Sequence, residues 1–145
     1  MKVLADVDLE AAYNLLENEK MPGWLFMPKS GATTIWEAWE GNTTKNSGIA
    51  SLNHYSKGAV VAWLFDTMCG IHIDGANHFT IAPNPGGHFT YAEAAYCSVY
   101  GTVKSGWKKM ENGWSYTVSI PANCTASLRL PGKESLILEA GNYNF

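Results

Sequence analysis

The sequence predicts an α+β fold in which a short N-terminal helical segment is followed by a small antiparallel β-sandwich. Up to about residue 74, apolar residues recur at spacings of three and four, which is typical of helices that bury one face. From residue 75 onward, runs rich in Thr, Val, Tyr and Ile alternate with turn dipeptides, which is typical of short strands. The 145 residues therefore divide into segments 1–74 and 75–145.

The helical segment begins with a short amphipathic helix. Asp8 is placed to cap its N-terminus, because a carboxylate there accepts a hydrogen bond from a free backbone amide. The apolar residues that follow keep the spacing of one buried face: Leu9, Ala12, Tyr13 and Leu16. The sequence Met21-Pro22-Gly23 then breaks the helix.

A second helix is predicted over residues 52–68. Ser51 is its expected N-cap and Gly70 its C-terminal stop. The candidates for its packed face are Tyr55, Ala59, Ala62, Trp63 and Phe65. A polar loop over residues 42–48 precedes it. Two amphipathic helices of this length do not cover each other fully, so we expect exposed apolar surface on the helical segment.

The second half of the chain is expected to contain seven strands. They are predicted at 78–81, 89–98, 101–111, 114–120, 125–130, 135–138 and 143–145. Asn112-Gly113 is a strong hairpin turn between two of them. In the strand that follows, Tyr116, Val118 and Ile120 alternate with polar residues, which indicates one buried face. Short strands with such turns favour a sandwich.

Composition excludes several classes of partner. The net charge is −3 and there is no basic stripe, so we expect no nucleic-acid partner. The most apolar helical stretch, residues 58–68, is too short for a membrane span, so we expect no membrane partner. Residues 1–9 carry three charged side chains and do not resemble a signal peptide.

The cysteines and histidines predict neither disulfides nor a metal centre. Cys69, Cys97 and Cys124 are odd in number and lack CxxC spacing, so we expect reduced, buried thiols, which suggests a cytoplasmic compartment. The histidines other than His54 are His72, His78 and His88, and they show no ligand spacing with any carboxylate. We expect no cofactor.

A cluster of carboxylates and indole rings lies within Thr33-Thr34-Ile35-Trp36-Glu37-Ala38-Trp39-Glu40. Trp24 comes shortly before it, and Asn53-His54 follows. Carboxylates perform acid–base chemistry on glycosidic bonds, and flat indole rings suit the apolar faces of sugars. The combination indicates a sugar-processing site.

Each of these residues also has a purely structural interpretation. Glu37 could cap or pair within a helix end, and Glu40 is more simply a solvated surface carboxylate. The three indole rings could pack in the core. His54 could be a structural histidine, and Asn53 could cap a helix or orient a loop.

The motifs resemble those of the α-L-rhamnosidases of glycoside hydrolase family 78. The specific matches are Gly31-Ala32-Thr33-Thr34-Ile35-Trp36-Glu37 and Ser51-Leu52-Asn53-His54-Tyr55. Weaker matches occur in the correct order: Pro22-Gly23-Trp24, Gly70-Ile71, Tyr100-Gly101, Ser105-Gly106-Trp107, Ile120-Pro121-Ala122-Asn123 and Gly141-Asn142-Tyr143-Asn144-Phe145. The resemblance runs along nearly the whole chain.

The resemblance implies the last helices of an (α/α)6 barrel, over residues 1–74, followed by a C-terminal sandwich. By motif position Glu37 would be the general base of an inverting α-L-rhamnosidase. The residues expected to contact substrate are Trp24, Trp36, Trp39, Asn53 and His54. The family's acidic cluster, which supplies the general acid, lies upstream in the barrel and has no counterpart in this sequence. We therefore expect a C-terminal fragment that is inactive alone.

Two other functions remain open from the sequence. The chain could be a non-catalytic carbohydrate-binding or structural β-sandwich module, or the tail of a different (α/α)6 glycosidase. For the rhamnosidase hypothesis the expected partners are a rhamnose-containing glycoside and the remainder of the barrel. Self-association through the exposed apolar helices is the alternative to the latter.

Overall fold

The computed structural model describes residues 1–41 and 50–145, which form short helices followed by two four-stranded sheets. The predicted α+β class is confirmed. Two compact units are present, Met1–Ala62 and Trp63–Phe145. The functional division of the chain at residues 74 and 75 stays a prediction. The loop predicted over residues 42–48 lies outside the described residues.

The helical elements are short. They are α1 (Lys2–Val7), α2 (Leu9–Leu16), α3 (Phe26–Lys29), α4 (Tyr55–Gly58) and α5 (Val60–Trp63), followed by a π-helical turn, Leu64–Met68. The cap predicted for α2 is confirmed, since Asp8 Oδ1 accepts a hydrogen bond from the Ala11 amide at 2.9 Å. Three residues of its predicted inner face, Ala12, Tyr13 and Leu16, are buried, whereas the first residue, Leu9, is partly exposed. None of the helices among the described residues has the length and apolar character needed to cross a bilayer.

The second helix differs from the prediction at its start. It begins at Tyr55 and its N-cap is His54, not Ser51. Residues 51–54 are not helical because their backbone is hydrogen-bonded to the segment that carries Ile35. The His54 amide donates to Ile35 O at 2.8 Å. Regular helix is interrupted at Ala59 and gives way to the π-helical turn. The predicted stop is confirmed, because Gly70 follows the last turn with φ +70°.

The face expected to pack on the second helix is mostly exposed. Of the five candidates only Trp63 is buried, and Tyr55 is 86% exposed. The other three, Ala59, Ala62 and Phe65, are also exposed. This matches the expectation of uncovered apolar surface on the helical segment.

Eight strands form two sheets in the described part of the chain. The first sheet has the order β1 (Ile71–Ile73), β2 (His78–Ile81), β6 (Thr125–Leu128), β7 (Leu136–Leu138). The second has the order β3 (Tyr91–Ser98), β4 (Gly101–Met110), β5 (Gly113–Ile120), β8 (Gly141–Asn144). All pairs are antiparallel except β2 with β6, which is parallel. Strand β1 was not predicted, because three residues directly after a helix stop are too few to show alternation.

The predicted hairpin and alternation are both confirmed, but the turn lies one residue earlier than Asn112-Gly113. Met110 pairs with Gly113 across the two turn residues Glu111 and Asn112, and Gly113 is the first residue of β5, with φ +129°. Tyr116, Val118 and Ile120 are buried on one face of β5. The core of this unit also includes Phe79, Ile81, Val103, Trp107, Ala126 and Leu128.

The three cysteines are free, but not all are buried as expected. Cys69 and Cys124 are buried, whereas Cys97 is exposed. Cys97 lies on β3, where alternate side chains face outward, and strand position rather than apolar character decides its exposure. Burial, followed by the charge of Glu93, raises the pKa of the Cys69 thiol to about 11.

This difference predicts selective labelling with a thiol-reactive disulfide reagent at pH 8. We expect one rapidly reacting thiol per folded chain, Cys97, and three after denaturation. At that pH, only about one part in a thousand of Cys69 would be thiolate, since its raised pKa keeps it protonated. The check is a Cys97→Ser variant, in which rapid labelling should disappear. Rapid labelling that persists there would show that a buried thiol is accessible.

Candidate functional site

The two specific motifs lie side by side in the N-terminal unit. The Glu37 amide donates to Ser51 O at 2.8 Å, and the His54 amide donates to Ile35 O at 2.8 Å. The Thr34 hydroxyl also donates to Leu52 O. These bonds join residues that are 14 to 19 positions apart in the sequence, so the backbone itself brings the carboxylate motif next to the Asn-His motif.

The carboxylate of Glu37 is held in one orientation. Its Oε2 accepts a hydrogen bond from the Ser51 amide at 2.7 Å, and the side chain is exposed. Its Oε1 has no hydrogen-bond partner within residues 1–41 and 50–145. One oxygen is therefore fixed by the backbone while the other can accept a proton or a hydrogen bond from a bound molecule.

Lys57 connects most of the site, and sequence reasoning missed it. Its ammonium donates to the Glu37 carbonyl and to Trp36 O, the latter at 3.4 Å. It also lies 4.2 Å from the centre of the Trp39 ring, a cation–π contact. Partial burial lowers the pKa of Lys57 from its ordinary value, while the charges of Glu40 and Glu37 oppose that shift.

A signal for Lys57 existed in the sequence. It follows His54 by three residues, which places both on one turn of a helix. A lysine so close to a motif that faces two carboxylates is a candidate for holding the loop that carries them. The backbone carbonyl of Lys57 also accepts a hydrogen bond from Trp24 Nε1 at 3.0 Å.

Two of the three indole rings contact each other. Trp24 and Trp39 meet edge to face, with ring centres 5.7 Å apart and an interplanar angle of 89°. The third, Trp36, lies against Gly41, where an added Cβ would come within 2.6 Å of the ring and where φ is +66°. All three rings are partly exposed. Each ring is therefore partly packed against the protein and partly accessible, and the accessible part could contact a ligand.

His54 has a capping role through one of its two ring nitrogens. Its Nδ1 accepts from the Ser56 amide at 3.4 Å and lies 2.8 Å from Ser56 Oγ. The ring stacks on Tyr55 with an interplanar angle of 11°. Because Nδ1 accepts from a backbone amide, this hydrogen bond assigns the proton of the neutral ring to Nε2, which can donate to a ligand.

Asn53 is held in the loop through its backbone amide. Its amide donates to Ser51 Oγ at 3.1 Å, and its side chain is exposed. This backbone bond gives the loop a local turn of the kind that serine side chains support. Glu40 is exposed too, and its charge acts on Lys57.

Two family models match consecutive parts of the chain. The bacterial α-L-rhamnosidase six-hairpin glycosidase domain matches residues 1–68, and the bacterial α-L-rhamnosidase C-terminal domain matches residues 72–143. An α-L-rhamnosidase from Formosa agariphila is 35% identical over 145 residues, covering 95% of this chain and 16% of the relative. One from Streptomyces avermitilis is 33% identical, covering 90% of this chain and 13% of the relative.

Solved structures of α-L-rhamnosidases share the fold. The Streptomyces avermitilis enzyme complexed with L-rhamnose has a TM-score of 0.87 and 28% identity, covering 99% of this chain and 16% of its own. The Aspergillus terreus enzyme has a TM-score of 0.88 and 26% identity, covering 99% of this chain and 18% of its own. This chain thus spans less than a fifth of the length of these relatives.

Proposed function

This chain belongs to the α-L-rhamnosidase family, and we propose that it supplies the general-base side of an inverting α-L-rhamnosidase active site. The observation that carries the proposal is the Glu37 carboxylate, with Oε2 held by the Ser51 amide and Oε1 without a hydrogen-bond partner in the part of the chain that the structure describes. A general base has to be oriented toward the proton that it removes, and this arrangement provides that orientation.

The proposed chemistry is a direct displacement by water. Glu37 Oε1 takes a proton from a water molecule as its oxygen attacks the anomeric carbon, on the face opposite the leaving group. A second carboxylic acid gives its proton to the departing glycosidic oxygen. In inverting enzymes the two carboxyl groups stand about 6.5–9.5 Å apart across the sugar. Glu40 does not suit the acid role, because it lies three residues from Glu37 and approaches from the same side.

The surrounding side chains suit a deoxy sugar. The partly exposed rings of Trp24 and Trp39 offer apolar contacts to the C6 methyl group and one ring face of a rhamnosyl unit. The Nε2–H of His54 offers a hydrogen bond to a sugar hydroxyl. Lys57 is a positioning residue, since it holds the Glu37 and Trp36 carbonyls rather than facing substrate itself. The L-rhamnose complex of the Streptomyces relative supports this assignment of the sugar.

We propose that the partner of this half-site is the remainder of an (α/α)6 barrel. The helical unit exposes apolar residues that a barrel would cover, among them Val3, Val7, Tyr55 and Val61. Self-association would cover the same residues. Sedimentation of the purified chain distinguishes the two, because a monomer that remains soluble excludes a second copy as the resident partner.

The test of the proposed function is hydrolysis of an aryl α-L-rhamnoside by the purified chain. We expect no turnover above the uncatalysed rate, because the general acid is not part of this sequence. The Glu37→Gln variant serves as the matched control. Turnover by the wild-type chain that disappears in this variant would show that the chain or its oligomer supplies its own acid, and would contradict the half-site proposal.

A further inference from the structure

A groove crosses the outer face of the second sheet, in the C-terminal unit. Two adjoining concavities of about 340 and 230 Å³ form it, and both are lined by Glu93, Gly106 and Thr117. These three residues are directly opposite one another on β3, β4 and β5. The groove therefore runs across three neighbouring strands.

The floor of the groove exists because one side chain is missing. Gly106 is buried, and an added Cβ would meet Thr117 Oγ1 at 3.0 Å and Glu93 Cβ at 3.2 Å. Its φ is not in the left-handed region, so backbone conformation does not require glycine here. The glycine matters for the space that it leaves, which is what a ligand lying across the sheet would need.

The walls of the groove present several polar side chains. Glu93, Lys104, Lys108, Ser115 and Thr117 line it. None of their side chains has a hydrogen bond or ion pair with any residue that the structure describes. Carboxylate, ammonium and hydroxyl groups are the ones that bind sugar hydroxyls.

An aromatic ring stands at one end of the groove. Tyr91 is 66% exposed and lies opposite Lys108 in the register of β3 and β4. An exposed ring beside hydrogen-bonding groups can stack on the apolar face of a sugar while its neighbours bind the hydroxyls. The groove thus combines side-chain hydroxyl groups with the aromatic ring of Tyr91, which are the two kinds of contact that proteins use to bind a saccharide.

The charge of the groove indicates which class of ligand it favours. It carries two lysines and one carboxylate, whereas the whole chain has a net charge of −3. A locally positive groove on an acidic protein favours an anionic ligand over a neutral one. We propose that this groove binds an acidic saccharide chain, with Tyr91 stacked on one unit and Lys104 and Lys108 paired with carboxylates of others.

Affinity electrophoresis of the full chain tests the proposal. The probe is polygalacturonate, with dextran as the neutral polymer and polyglutamate as a polyanion without sugars. We expect retardation by the first polymer only. The Tyr91→Ala variant should bind it about tenfold more weakly. Tyr100→Ala, an exposed tyrosine outside the groove lining, should bind as the wild type does.

The contribution of the two groove lysines to binding is tested in the same way. Replacing Lys104 and Lys108 with glutamine should weaken binding and flatten its dependence on salt, whereas Lys133→Gln, an exposed lysine elsewhere, should change neither. The probe contains no rhamnose, so this result is independent of the proposed active site. Matching melting temperatures show that each variant is folded.

Three results would overturn the proposal. One is the absence of retardation, or equal retardation by dextran or polyglutamate. Another is equal binding by the Tyr91→Ala and Tyr100→Ala variants. The third is concentration-dependent self-association that the Tyr91→Ala variant loses, since this would assign the groove to a second copy of the chain.

Discussion

Replacing Gly70 with alanine is expected to unfold the C-terminal unit at a temperature well below that of the wild type. Gly70 has φ +70°, and an added Cβ would lie 2.1 Å from Ala82 C and 2.2 Å from Pro83 N. These are backbone atoms, so no side-chain rotation can relieve the overlap. The left-handed conformation costs alanine roughly 1–2 kcal/mol, and overpacking adds about 1–3 kcal/mol. The variant should therefore lose about 2–5 kcal/mol in its free energy of unfolding.

The measurement is urea and thermal denaturation, and Gly132 provides the matched control. Gly132 also has φ +70°, but an added Cβ there meets nothing within 4 Å. Gly132→Ala should show the conformational cost alone, roughly 1–2 kcal/mol. The difference between the two variants isolates the close approach of Gly70 to the strand end. Equal losses would mean that the backbone at residues 82 and 83 moves aside freely.

The position of Gly70 matters because the chain changes from helix to strand there. Trp107 Nε1 donates to Met68 O at 2.8 Å, and Ser105 Oγ donates to Cys69 O at 2.5 Å. Both bonds satisfy carbonyls at the end of the π-helical turn from strand β4. The Gly70 carbonyl then accepts from the Ala82 amide at 2.8 Å. The sandwich is thus joined to the preceding helical turn through its buried backbone groups.

The elements that the sequence predicted well are those with a local signal. The Asp8 cap, the stop at Gly70 and the alternation along β5 each depend on neighbouring residues, and all three are confirmed. The predicted start of the second helix was wrong, because hydrogen bonds between residues 51–54 and a segment distant in the sequence outweigh the local helix preference. The predicted burial of Cys97 was wrong for a similar reason, since the position of Cys97 in its strand sets its exposure.

The site shows the same division between local and long-range information. Motif similarity identified Glu37 and His54 as candidates, and their roles stay predictions. It did not identify Lys57, whose contacts with the carbonyls of residues 36 and 37 join positions 20 and 21 apart in the sequence. No periodicity encodes such contacts. The groove on the second sheet was also missed, because it depends on which residues of three strands lie opposite Gly106.

The Glu37→Gln substitution is expected to have the largest effect on activity once the barrel is complete. A chimera provides that context: this chain replaces the matching segment of the Formosa agariphila relative, which is 35% identical. If the chimera hydrolyses an aryl α-L-rhamnoside, Glu37→Gln should lower kcat by about 10²–10⁴-fold, the usual contribution of a general base. Glutamine keeps the hydrogen bond from the Ser51 amide through its carbonyl oxygen but cannot accept the proton of the attacking water.

Glu40 makes this experiment decisive, because it is a second exposed carboxylate three residues away and also acts on Lys57. Glu40→Gln removes the same charge from the same loop, so it controls for the loss of a negative charge near Lys57. We expect it to change kcat by less than about threefold, in keeping with a surface carboxylate. If both variants lose activity equally, the effect belongs to the electrostatics around Lys57. If only Glu37→Gln loses it, the proton acceptor is the carboxylate that the Ser51 amide holds in place.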